Sequence, residues 1–413
     1  MTIDVDVGRL TRELKELATF SASAPPSVTR ILFSEPDMRA REWLAQCFSD
    51  AGLAVRHDSV GNTFARWTGT EPGLPPIATG SHIDAIPEAG AYDGTVGVLG
   101  GLEAIRALRR SGLTPRRSIE LVLFTSEEPT RFGVGCIGSR LLSGTLDPHR
   151  VDALCDSTGL TLADLRKRAG FDGDLRGVPM RRGAYEAFLE LHIEQGPLLE
   201  HEGIDLGAVT HIAAPASLQA TFTGEGGHAG TVLMSARRDA LLGAAELALA
   251  VESAAKSTGA ADSVATTGVF EISPGAVNSI PNRARLGIDV RDIDEKRRDE
   301  MIEQIVKATG DIAHRRSLQS TVDVVNADPP AVCDPVLVDM ILNAAEQASR
   351  RSIRIVSRAY HDTLFMARIA PVAMIFIPCR DGVSHRPDEY ASPEAIGGGV
   401  EVLAWTLARL ASG

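Results

Sequence analysis

Ile77-Ala78-Thr79-Gly80-Ser81-His82-Ile83-Asp84 begins as an apolar run and ends on a histidine and a carboxylate. Its first five residues read as a strand, and Ile119–Thr125 reads as a second. Between them Val98, Leu102, Ile105 and Leu108 recur at three- and four-residue steps, the spacing of a helix with one apolar face. Ala187–Leu191 is a further short apolar run. Strand, helix and strand in alternation predict a mostly parallel sheet covered by helices, and hence an α/β fold.

Past residue 213 the period changes. Leu218, Ala220 and Phe222 alternate as in a half-exposed strand, and Ser235–Glu252 reads as an Ala/Leu-rich helix. Val264–Ile272 and Leu286–Val290 alternate again. Asp294 then caps a helix carrying Met301, Ile305 and Ile312, and Leu318–Val325 closes the unit. This β-α-β-β-α-β order is the ferredoxin-like split βαβ sandwich. The turn-rich joint Asn326-Ala327-Asp328-Pro329-Pro330 returns the chain to α/β patterning. The division expected is one domain built from residues 1–212 and 327–413, with a second, 213–326, inserted in it.

The overall numbers agree with a globular α/β chain. At about 150 residues per domain, 413 residues make two or three domains. Acidic residues outnumber basic ones, 54 to 42, for a net charge of −12, which excludes the basic surface that nucleic acid requires. Met1–Leu17 mixes charges at helical spacing and lacks the apolar stretch of a signal peptide. The longest apolar run, Ile369–Pro378, is too short to cross a bilayer. Five cysteines (Cys47, Cys136, Cys155, Cys333, Cys379) form no C-x-x-C pair. They read as buried small apolar side chains in a soluble, cytoplasmic protein, not as a disulfide frame or thiolate site. His57, His149, His201, His211 and His314 sit in charged or turn-like surroundings and read as solvated.

The remaining polar residues gather at strand ends, where open α/β sheets bind ligands. His82 and Asp84 are two apart, so on an extended backbone Asp84 can accept the second ring N–H of His82. Asp93-Gly94 precedes the helix; Glu127-Glu128, His192 and His385 each follow an apolar run. Adjacent carboxylates repel in a low-dielectric site unless cations hold them. His82, Asp93, Glu128, His192 and His385 together supply three imidazoles and two carboxylates, a set suited to two divalent ions such as Zn²⁺ or Mn²⁺. Co²⁺ and Ni²⁺ fit the same donors.

The strings GSHIDAIPEAGAYDGTVGVLGGLEAI, TSEEPTRFG, LHIEQGPLLE, GGHAG, PGAVNSIP and GVSHRPDEY, in this order from about Thr29 to Leu410, resemble the M20 metallopeptidase-type amidohydrolases. They are most similar to the branch containing N-carbamoyl-L-amino acid, allantoate and ureidoglycolate amidohydrolases. Within it VTHIAAPASL, SRAYHDTLFMARIAP and MIFIPCRDGVSHRPDEYASPE resemble the ureidoglycolate enzymes. Ser357-Arg358-Ala359-Tyr360-His361-Asp362 and Thr231-Val232-Leu233-Met234 depart from the carbamoylase pattern at two places.

The resemblance implies a zinc-peptidase-like catalytic domain with a mostly parallel mixed sheet and an inserted lid that also forms a homodimer. It implies His82 and His192 on one metal, Glu128 and His385 on the other, Asp93 bridging, and Glu127 as general base. By the same likeness Arg291 binds a substrate carboxylate, and His228 with Asn278 reaches the site from the neighbouring subunit, where His228 stabilises the oxyanion. Gln195 and His361 are further contact candidates, and Tyr360 and Arg380 candidate pocket residues. The activity implied is hydrolysis of a linear ureido or amide C–N bond, with (S)-ureidoglycolate as first substrate. N-carbamoyl-amino acids, allantoate or another small amide are the alternatives, and a catalytically silent binding protein on the same scaffold is the reading from a different class.

Overall fold

Ile77–Ser81 forms a strand buried along its whole length, paired in parallel with Ile119–Leu123 on one side and Ala187–Ile193 on the other. Strands covered on both faces read as continuous apolar runs, which is why no alternation marks them in the sequence. Val372–Ile377 extends the parallel block beside Ala187–Ile193. Antiparallel strands flank it: Thr63–Trp67 and Ala54–His57 on one side, Leu206–Ile212 on the other. With Ala331–Val332 and Ser352–Ser357 the sheet has nine strands and mixed polarity. The computed structural model describes residues 3–413, so Met1 and Thr2 of the N-terminal stretch lie outside the described residues; Val7–Thr19 is a helix.

Two groups of helices cover this sheet. Val7–Thr19, Thr95–Arg110, Pro335–Gln347 and Pro393–Ser412 form one, while Glu35–Asp50, Ile137–Leu142 and Thr363–Met366 lie elsewhere on it. Thr95–Arg110 sits close: a Cβ at Gly97 would come within 2.5 Å of the Leu191 carbonyl oxygen and 2.6 Å of Ser81 Cβ. That approach fixes the helix start against the two strands that lead into His82 and carry His192.

The chain separates into two compact units: 1–210 with 332–355 and 361–413, and 211–331 with 356–360. The smaller unit carries the antiparallel order Val264–Ser273, Arg283–Asp292, Ala214–Thr223, Gln319–Ala327. Helices Ala240–Ser257 and Glu295–Arg315 pack on one face, against Leu218, Phe222, Leu286 and Ile288. The first helix starts five residues later than the composition predicts. Asp239 accepts the Leu241 N–H at 3.0 Å and caps it there, and Met234–Ala236 is only a 3₁₀ turn. Val356–Tyr360 joins this unit, although sequence alone assigns it to the other; the Ser357 carbonyl accepts from the Ala213 N–H at 2.8 Å, and Arg358 bonds Asp262.

Among the described residues no helix is long and apolar enough to cross a membrane. The cysteine expectation needs correcting in part: Cys136, Cys333 and Cys379 are buried, but Cys155 is exposed and Cys47 half-buried. Cys155 lies in an irregular stretch just after the short helix Pro148–Asp152.

Candidate metal centre

The strand Ile77–Ser81 ends one residue before His82, and residues 82–84 leave the sheet. The extended-backbone argument for Asp84 therefore does not apply. His82 Nδ1 donates to the Asp84 backbone carbonyl at 3.1 Å, with the Asp84 Oδ1 further off at 3.6 Å. The Asp84 carboxylate accepts instead from the backbone N–H groups of Glu127 (3.2 Å) and Glu128 (2.9 Å). Asp84 thus orients the His82 ring through its carbonyl and anchors the Glu127-Glu128 turn through its side chain.

His192 lies within Ala187–Ile193, and its Nδ1 donates to the Ile193 carbonyl at 2.9 Å. With Nδ1 turned to a backbone carbonyl in both rings, Nε2 is the nitrogen each presents inward. Both point at the same atom: Asp93 Oδ1 is 3.5 Å from His82 Nε2 and 3.1 Å from His192 Nε2. The other oxygen, Asp93 Oδ2, lies 3.2 Å from His385 Nε2, which is itself 3.0 Å from Glu128 Oε1. Two sets of donor atoms result, His82/Asp93/His192 and Asp93/Glu128/His385, each set within 4.8 Å and both containing Asp93. Gly94 makes the approach feasible. Its φ is +64°, and a Cβ there would fall 2.5 Å from the His82 ring.

Glu127 faces the same space, with Oε2 3.8 Å from His82 Nε2 and Oε1 3.6 Å from Cys136 Sγ. Burial pushes its carboxyl well above the ordinary range, and the charge of Glu128 adds to the shift. Burial likewise raises Glu128. At Asp93 burial opposes ionisation, but hydrogen bonds from His192, His385 and His82 outweigh it and hold the carboxyl well below its usual value. His385 is pushed up to about 11 by its bonds to Asp93 and Glu128. The positive partners of these carboxylates are imidazoles: His82, His192 and His385 on Asp93, His82 on Glu127, His385 on Glu128. A divalent cation balances the same carboxylates and takes neutral imidazole nitrogens as ligands, so the donor set fits N/O-coordinated metal.

The other expected residues fall in several places. Gln195 donates from Nε2 to Asp93 Oδ2 at 2.6 Å, placing it on the carboxylate both sets share. His361 is 2% exposed and lies edge-on to His192, ring centres 4.6 Å apart. Burial and the neighbouring His192 hold it well below the usual imidazole range. His361 also falls with Glu190 and His192 in a third group of possible donors. The Glu190 oxygens are already engaged by Ser81 Oγ and by Thr363, which makes that group a packing element.

On the smaller unit His228 and Asn278 are adjacent and exposed. The ladder pairs His228 with Ser279, and the Asn278 carbonyl accepts from the Ala229 N–H at 2.9 Å. Arg291 pairs with Asp289 at 2.7 Å and donates to the Arg358 carbonyl at 3.2 Å. The Tyr360 hydroxyl bonds Asp328, while Arg380 stacks over Tyr390 at 5.0 Å. Sequence reasoning gave no role to Ser384, which donates to Asp93 Oδ2 at 2.7 Å, or to Glu389, which accepts from Ser384. The available signal was an acid four positions after His385 in a turn-rich stretch.

Residues 78–409 match Peptidase family M20/M25/M40. The chain belongs to this family. It is 51% identical to a ureidoglycolate hydrolase of Arabidopsis thaliana over 99% of this chain and 87% of that protein. It is 36% identical to an N-carbamoyl-L-amino acid amidohydrolase of Geobacillus stearothermophilus over 98% of both. The crystal structure of AtUAH in complex with (S)-hydroxyglycine superposes with a TM-score of 0.89 at 50% identity, covering 99% of this chain and 98% of that one. The M20 family is metal-dependent, the chain carries clustered side chains that could hold a metal ion, and it is an amidohydrolase of non-peptide C–N bonds.

Proposed function

We propose that the chain hydrolyses (S)-ureidoglycolate, releasing ammonia and CO₂ and leaving hydroxyglycine, which decays to glyoxylate. The observation that carries the metal reading is the division of one carboxylate: Asp93 turns Oδ1 to His82 and His192, and Oδ2 to His385 beside Glu128. A carboxylate so divided fits a bridge between two divalent cations, Mn²⁺ or Zn²⁺ in first place and Co²⁺ or Ni²⁺ as substitutes. When bound, such a pair lowers the pKa of a water from about 15.7 toward 7 and polarises the carbonyl. The substrate is supported by the greater likeness to the Arabidopsis ureidoglycolate hydrolase and by the hydroxyglycine complex of AtUAH.

A ureido carbonyl is a poor electrophile because two nitrogens donate into it. Glu127 takes a proton from the attacking water as the C–O bond forms. It returns that proton to the terminal nitrogen as the C–N bond breaks and ammonia departs. Gln195 and Ser384 hold Asp93 Oδ2 in place by hydrogen bonds. Arg291 is the proposed partner of the substrate carboxylate, since a guanidinium offers two parallel donors. His228, with Asn278, is the proposed oxyanion donor, supplied by a second copy.

The larger unit is read as the catalytic domain and the smaller as lid and dimerisation domain of a cytoplasmic homodimer. The edge strand Val264–Ser273, with Val269, Phe270 and Ile272 exposed, supports the dimer. A second reading, hydrolysis of N-carbamoyl-amino acids, is favoured by the 36% identity to the Geobacillus enzyme, and one of allantoate by the 33% identity to an allantoate amidohydrolase of Bacillus subtilis. An ammonia-release screen over ureidoglycolate, allantoate and N-carbamoyl amino acids, with Mn²⁺ added to stripped protein, decides. Ureidoglycolate should give the highest kcat/KM. A higher value for an N-carbamoyl amino acid replaces the substrate, and silence on every compound leaves a binding protein.

A further inference from the structure

His192 lies on a strand and His82 directly follows one, and they are 1% and 3% exposed. His385 does neither. It lies on the irregular stretch between Val372–Ile377 and Pro393–Ser412, its side chain is 44% exposed, and its φ is +58°. A non-glycine residue in that region persists only where its surroundings fix it. Something other than the strand must therefore bring His385 to Asp93.

Glu389 is 4% exposed, and its two oxygens accept four hydrogen bonds from two distant segments. Oε1 takes the backbone N–H groups of Tyr92 (2.8 Å) and Asp93 (3.0 Å). Oε2 takes the Ser384 hydroxyl (2.9 Å) and the His385 N–H (3.3 Å). Ser384 Oγ also stands 2.7 Å from Asp93 Oδ2, so the link continues onto the shared carboxylate itself. The two segments are nearly three hundred residues apart in the chain, and this one side chain ties their backbones together.

We propose that Glu389 is a positioning residue that holds the backbones of Asp93 and His385 in register, so that the ligand set Asp93/Glu128/His385 forms. This rests on the two-metal reading given above. Glu389 touches neither His82 nor His192: it reaches their set only through the shared Asp93, but acts on the Asp93/Glu128/His385 set through both Asp93 and His385, so its removal falls mainly on the latter. Groups that orient metal ligands commonly cost 10–100-fold in metal affinity when changed. Glu389→Gln keeps the shape but puts an NH₂ where one pair of N–H or O–H donors needs an acceptor.

The test is metal titration of stripped full-length protein with Mn²⁺, by calorimetry and by elemental analysis after gel filtration. In Glu389→Gln the ion on Asp93/Glu128/His385 should weaken by about 10–100-fold and the other, which shares only Asp93, by clearly less. Ammonia release should return at high Mn²⁺, which general loss of structure would not allow. Two ions bound with unchanged affinity, or both weakened equally, overturns the proposal. If the variant does not fold, Ser384→Ala decides: one ion should weaken severalfold, and wild-type affinity overturns it. Wild-type protein that binds fewer than two ions sinks the two-metal reading itself, a result distinct from either.

Discussion

The candidate site has a half built by the sheet and a half built by loops, and the two are secured differently. On the sheet side, His82 and His192 are oriented by backbone carbonyls one or two residues away, in surroundings buried from solvent. On the loop side, Glu128 is held by the carboxylate of Asp84 and His385 by that of Glu389, with sequence separations of 44 and 4. Backbone geometry alone can aim a ring on a strand. A ring on an exposed loop needs a buried side chain that reaches across the fold. Asp93 is where the halves meet, one oxygen turned to each.

Changes at the meeting point should be the largest. Glu127→Gln removes the group that carries the proton while leaving both donor sets, so kcat should fall by about 10²–10⁴ with metal content unchanged. Near wild-type turnover in a fully metallated variant would take the base assignment away from Glu127. Gly94→Ala comes next. A Cβ at φ +64°, 2.5 Å from the His82 ring, must displace either the ring or Asp93 beside it. Metal affinity should drop by about 10–100-fold, first on the sheet side. A titration in which the loop-side ion is lost first would reverse the comparison.

The sheet-borne half was the more legible in sequence. Ile77–Ser81 and Ala187–Ile193 announce themselves as apolar runs, and His82 and His192 stand at or near their ends. The smaller unit was legible through its alternation, since Leu218, Ala220 and Phe222 do face its helices. What local pattern hides is contact over long separations. Asp84 anchoring Glu127 and Glu128, and Glu389 anchoring Tyr92 and Asp93, follow no period. The helix start at Ala240 was misplaced because an Ala/Leu-rich composition outweighed the Asp239 cap. Chain division was blurred at Val356–Tyr360, which bonds to the distant Ala213, Asp262, Arg291 and Asp328 of the smaller unit.

Arg291 offers a way to separate binding from metal chemistry. Arg291→Ala should raise KM for a carboxylate substrate by about 10–100-fold, the equivalent of one charged hydrogen-bonded contact of about 1.5–3 kcal/mol. Both ions should remain. The loss of the Asp289 pair itself should cost little, since Arg291 and Asp289 are each about a third exposed. Unchanged KM would remove Arg291 as the clamp and direct attention to other donors on the smaller unit.

The smallest effect is also the sharpest on how the halves are secured. In metal-free protein, His192→Ala empties a packed position between His361 and Phe376 and should destabilise by about 1–3 kcal/mol. His385→Ala, at an exposed site, should stay within about 0.5 kcal/mol. Both remove one donor and both should lose metal, so metal-loaded melting alone does not tell them apart. Urea unfolding of the stripped proteins does. Were His385→Ala as costly as His192→Ala without metal, the loop would be part of the folded core in its own right. Glu389 would then be supporting stability as much as ligand placement.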